Sequence, residues 1–101
     1  APGHLKHHYM PQIPLVILKN KNLAEVQGDL LVKLKIKEAK PIELTLSDDP
    51  AQAARMLYEN LRKCAQSGAN FIFVYEKPEY QSEIWTAIWD RLYKAATLKV
   101  E

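Results

Sequence analysis

Phe71-Ile72-Phe73-Val74-Tyr75 is an unbroken apolar run, closed by Glu76-Lys77-Pro78. Pro14-Leu15-Val16-Ile17-Leu18 is a second such run, closed by Lys19-Asn20. Neither alternates with polar residues. Short continuous runs of this kind suit strands buried on both faces, as in a parallel sheet. Parallel neighbours need a long crossover between them, usually a helix. The segments between the two runs therefore decide the fold.

Residues 22–38 support two readings. Leu23, Val26, Leu30, Leu31 and Leu34 lie at helical spacing, with Asn22 placed to cap. Val32, Leu34 and Ile36 also alternate with Lys33, Lys35 and Lys37, as in a half-wet strand after a turn at Gly28-Asp29. The need for a crossover favours a helix over 22–35. Pro41 to Leu46 alternates Ile42, Leu44 and Leu46 and predicts a strand. Asp49-Pro50 then reads as an N-cap followed by proline at the first helical position. Ala53, Leu57, Leu61 and Cys64 share one face of the helix that follows, and Gly68 is placed to stop it in the left-handed region. A last helix is expected over 81–96, with Ile84, Ile88 and Leu92 as its seam and Trp85 and Trp89 along the edge.

The resulting order is strand, helix, strand, helix, strand, helix. It predicts an α/β fold: a small Rossmann-like three-layer domain with a mainly parallel sheet flanked by helices. This domain would span residues 14–101. Residues 1–13, with Pro2 and Pro11 and no apolar periodicity, read as an extended linker.

Composition agrees with a single globular domain. The chain has 101 residues, 48% of them apolar and 26% charged. Its net charge of +2 does not point to nucleic acid by itself. Lys33, Lys35, Lys37 and Lys40 cluster, which suits a solvated face or a phosphate-binding patch. The single cysteine excludes an internal disulfide and, with the absence of a signal peptide, predicts a cytoplasmic protein. No apolar run approaches the ~20 residues of a membrane helix. The chain opens on Ala1 without an initiator methionine, which predicts a processed protein or a part of a larger one.

Few residues suggest chemistry of their own. His4, His7 and His8 lie within five positions, but no cysteine or carboxylate beside them completes a metal site. Cys64 sits on an apolar helical stripe and reads as core rather than nucleophile. Trp85 and Trp89 could stack on bases, but i,i+4 spacing on an amphipathic helix more often marks a core edge. Glu76 follows the carboxyl end of a strand, where open α/β sheets place ligands, and is a candidate ligand-end carboxylate. The three glycines form no phosphate-cradling motif.

The stretch AARMLYENLRKCAQSGANFIFVYE (53–76) with AIWDRLYKAA (87–96) resembles the C-terminal domain of two-domain threonylcarbamoyl-AMP synthases, the YrdC-type tRNA-modification enzymes. Ala53, Ala54, Leu57, Leu61, Arg62, Gly68, Ile72 and Glu76 match the pattern, as do Ala87, Ile88, Arg91, Leu92, Lys94, Ala95 and Ala96. The opening APGHLKHHYMP (1–11) is similar to the family's interdomain linker at Pro2, Gly3, His8, Tyr9 and Pro11. The departures are Glu83 and Trp85 where the family often has glycines, and Ala65 and Asn70 where it often has aspartates. If those glycines help to bind a phosphate in the family, this domain is not expected to do so.

The resemblance implies an enzyme that makes threonylcarbamoyl-AMP from threonine, bicarbonate and ATP, for modification of adenosine 37 of tRNA. The chemistry, with ATP and Mg2+, would belong to an N-terminal catalytic domain of the same polypeptide, and this portion alone would be inactive and hold no cofactor. Pro2, Gly3, His8, Tyr9 and Pro11 would form a lid over that domain's nucleotide site, with residues 14–101 anchoring and regulating it. The other reading is a tRNA-recruiting module that uses Lys33, Lys35, Lys37 and Trp85, with tRNA or tRNA-modification proteins as partners. Neither reading involves a membrane.

Overall fold

The computed structural model describes residues 11–77 and 81–101. The first apolar run forms β1 (Leu15–Leu18), and every one of its side chains is buried. Asn22 then starts helix α1 (Leu23–Leu34) through a reciprocal capping box. Its side chain accepts from the Glu25 N–H at 3.1 Å, and the Glu25 carboxylate accepts from the Asn22 N–H at 2.9 Å. That box settles the ambiguity of 22–38 in favour of a helix. Val26 and Leu30 face inward, and the chain leaves α1 through Lys35 in the left-handed region (φ 59°).

β2 is shorter than its alternation suggests. It spans Pro41–Glu43, and the Leu44 N–H adds one more bond to the Phe73 carbonyl at 2.8 Å. The Asp49 side chain accepts from the Ala51 N–H, and Pro50 opens the next helix, as expected. That helix is broken at Met56 into α2 (Pro50–Arg55) and α3 (Leu57–Ala65). No glycine or proline marks the break. α2 lies against the last helix and α3 against the sheet, so the bend lets each half meet a different partner. Gly68 takes φ 95° shortly after α3, where a side chain would be strained.

β3 (Phe71–Tyr75) matches the second apolar run. Ser82 caps the last helix, α4 (Glu83–Ala95), by accepting from the Trp85 N–H. Its buried face is Trp85, Ile88, Trp89, Leu92 and Ala95. The expected seam is therefore rotated: Ile84 is 43% exposed, and both tryptophans lie in the core. The structure also adds β4 (Leu98–Val100), a strand the sequence pattern did not indicate.

The four strands form one sheet in the order β2-β3-β1-β4, and every pair is parallel. β1 is central, with Leu15 opposite Ile72 and Val16 opposite Leu98. Leu15 and Ile17, with Ile72 and Val74, face a core shared with α2, α3 and α4. Val16 and Leu18, with Phe71, face a second core completed by Val26 and Leu30 of α1. The result is a three-layer α/β fold. The crossover from β1 to β2 runs one way across the sheet with its helix on one face. Those from β2 to β3 and from β3 to β4 run the other way with helices on the opposite face, so all three share one hand.

Two substitutions in α1 test this account of local structure. Asn22→Ala removes the side-chain half of the capping box and should destabilise the fold by about 1 kcal/mol. Gly28 lies in the helix interior, where an added Cβ would meet nothing within 4 Å, so Gly28→Ala should stabilise by about 0.5–1 kcal/mol. Urea midpoints at unchanged slope check both.

Candidate functional site

The carboxyl ends of β1 and β3 are adjacent, and their loops leave on opposite faces of the sheet. In open α/β sheets such a divergence leaves a crevice, and ligands bind there. Here the crevice is an open cleft of about 440 Å3. One wall is the β1–α1 loop, Lys19 to Asn22. The other is Tyr75, Glu76 and Lys77 at the end of β3.

Backbone pairing fixes both walls. The Glu76 N–H donates to the Leu18 carbonyl at 2.9 Å, and the Lys19 N–H donates to the Val100 carbonyl at the same distance. The Tyr75 hydroxyl oxygen accepts from the Leu23 N–H at 3.0 Å, so β3 satisfies one of the free amides at the start of α1. Glu76 accepts a short hydrogen bond from the Tyr93 hydroxyl of α4. Tyr93 in turn packs at a tilt on Trp89, and the Lys99 ammonium lies 5.1 Å from its ring centroid. Burial and the Glu76 carboxylate, with Glu101 beyond it, push the Tyr93 phenol up to about 12.

The sequence-derived candidates are not gathered into one place. Pro2, Gly3, His8 and Tyr9 lie outside the described residues, as do His4 and His7. Pro11 is half-buried, and Ile13 packs against the core shared with α2, α3 and α4. The Pro14 carbonyl accepts from the Ile72 N–H at 2.8 Å. Pro14 thus leads into the amino end of β1, whereas Glu76 stands at the carboxyl end of β3. Four strand residues separate the two, about 13 Å at 3.3 Å per residue.

Other candidates resolve toward the core. Cys64 is buried, and burial raises its thiol pKa, which keeps it neutral and weakly reactive. Trp85 and Trp89 are each 5% exposed and offer no platform for stacking on bases. Lys33, Lys35 and Lys37 are exposed, and Lys40 pairs with Glu38 at 3.4 Å. Among the described residues no group of three histidine, cysteine, aspartate or glutamate side chains could hold a metal. No helix among them is long and apolar enough to cross a membrane. Sequence reading passed over Lys19, Lys21, Lys77, Tyr75 and Tyr93. The position of Lys19 and Lys21 straight after a parallel strand was a usable signal. Tyr93 gave none, because it meets Glu76 only through the docking of α4.

The family model for the threonylcarbamoyl-AMP synthase C-terminal domain matches residues 1–97. The chain belongs to this family. The crystal structure of the C-terminal Sua5 domain of a hypothetical Sua5 protein from Pyrococcus horikoshii has a similar fold, with a TM-score of 0.56 at 17% identity. The match covers 89% of this chain and 99% of that one. At this identity the likeness is one of fold. No curated protein matches the chain. The match to the synthase C-terminal domain includes the opening stretch, residues 1–11.

The Glu76–Tyr93 contact predicts an alkaline transition. The folded state holds the Tyr93 proton more tightly than the unfolded chain, whose tyrosines titrate near pH 10. The associated stability is full below about pH 10 and is lost as pH rises through about 12. In ultraviolet difference titrations, Glu76→Gln should bring this late ionisation part of the way back toward 10, because burial persists.

Proposed function

We propose that this domain anchors and regulates a lid over the nucleotide site of a threonylcarbamoyl-AMP synthase. The catalytic domain would precede it in the same polypeptide and hold ATP and Mg2+. The lid would consist of Pro2, Gly3, His8, Tyr9 and Pro11. Closing such a site excludes water from a labile mixed anhydride. His8 would donate to a phosphate or carboxylate, and Tyr9 would pack on the nucleotide or donate a hydrogen bond.

The observation that carries this reading is the way the linker joins the domain. Ile13 is packed against the core, and Pro14 is bonded to β3 before β1 begins. Residues 13 and 14 therefore lead directly into the most buried strand of the sheet. A strap tied at that point transmits its position to the whole domain. The tRNA-recruiting reading keeps Lys33, Lys35 and Lys37 but loses Trp85 as a stacking partner.

In the two-domain enzyme, Tyr9→Ala should lower ATP turnover about tenfold, equivalent to ~1.4 kcal/mol of barrier. The thermal unfolding of this domain should be unchanged, as the lid reading gives Tyr9 its role at the catalytic domain. Turnover equal to that of the unaltered enzyme would remove the lid. A tRNA gel shift with a steep salt slope would instead favour recruitment.

A further inference from the structure

We infer that the cleft between the carboxyl ends of β1 and β3 is a binding site for a small phosphate-bearing anion. Lys19 and Lys21 reach it from one wall and Lys77 from the other. Among the described residues none of the three has an ion-pair partner, whereas Lys40, Arg62, Lys63 and Lys94 all do. Three ammonium groups against the single Glu76 carboxylate of the same lining leave a net positive charge around the cleft, which draws anions.

The neighbouring hydrogen bonds point the same way. The Tyr75 hydroxyl oxygen is occupied by the Leu23 N–H, while its own proton meets no acceptor among the described residues. It is thus a donor on the cleft wall. The two nearby carboxylates are engaged elsewhere. Glu76 accepts from Tyr93, and Glu25 accepts from the Asn22 N–H in the capping box. The start of α1 adds a partial positive charge, although its own amides are served by Asn22 and Tyr75.

The cations in the cleft are lysines, and no arginine lines it. Lysine meets a phosphate as a mobile point charge that needs no planar fork, and the citrate arm of the test below separates phosphate from carboxylate. α4 opens on Glu83, Ile84 and Trp85, so no glycine-rich backbone cradle operates from that side. The anion is held by side chains from the β1 wall and Lys77, which makes its affinity strongly dependent on salt. This site is independent of the lid reading, because it is built wholly from the folded part of the chain.

The test is a titration of the 101-residue chain with inorganic phosphate at constant ionic strength, followed by amide chemical shifts. Shifts should concentrate at Lys19–Asn22, Glu76 and Lys77. The exposed pair Lys19→Gln and Lys77→Gln should weaken binding about tenfold or more while leaving the melting temperature unchanged. Equal shifts at Lys33, Lys35 and Lys37 would overturn the assignment, as would undiminished binding by the double variant. Citrate serves as the carboxylate arm. If it moved the same amides as strongly at equal concentration, the phosphate assignment would fail.

Discussion

The fold depends on covering β1 completely. Its four side chains are at most 1% exposed, and both of its edges are paired, to β3 on one side and β4 on the other. Alternate residues enter different cores, so the strand needs helices on both faces at once. α1 alone covers one face, and α2, α3 and α4 cover the other. A fully buried leucine, isoleucine or valine contributes roughly 1.5–3 kcal/mol. Uncovering either face would therefore cost several kcal/mol from β1 alone, a large share of the ~5–15 kcal/mol that holds a domain together. The position of every other element follows from this demand.

That demand is also what made the architecture readable. The unbroken runs at 15–18 and 71–75 have few explanations other than central parallel strands, and parallel strands call for helices between them. Asn22 and Asp49 marked two helix starts because a cap is a local device and leaves a local trace. What was hidden depends on distant contacts. Leu98–Val100 is three residues long, with one exposed lysine at its centre, and becomes a strand only because β1 offers it a free edge. The break at Met56 answers to the partners of α2 and α3 and not to any residue of its own. The rotation of α4 that exposes Ile84 and buries both tryptophans is set by the core it meets.

The candidate sites divided along the same line. Pro2, Gly3, His8, Tyr9 and Pro11 were singled out by resemblance to a family pattern, and the first four lie outside the described residues. Glu76 was legible from its place after a strand. Its engagement by Tyr93, and the three lysines that share its cleft, depend on which strands are neighbours. Strand order cannot be seen in a list of elements. The placement of β3 beside β1, with helices leaving on opposite faces, turns two unremarkable loops into the walls of one crevice. The parallel direction of β1 and β3 puts Pro14 and the crevice at opposite ends of the strands.

The strand order also governs how the protein can be made. Among the described strands, β1 has as its neighbours the third and the fourth, with Val16 opposite Leu98. During synthesis β1 emerges before both of them, as a hydrophobic segment with no partner for either edge. Its first neighbour, β3, arrives more than fifty residues later, and the sheet cannot close until Val100 is free of the ribosome. Pairings so distant in sequence form slowly, and unpaired apolar strands are exposed to aggregation while they wait. α1, with its own capping box and twelve residues, is the element able to form next to β1 in that interval and shield one of its faces.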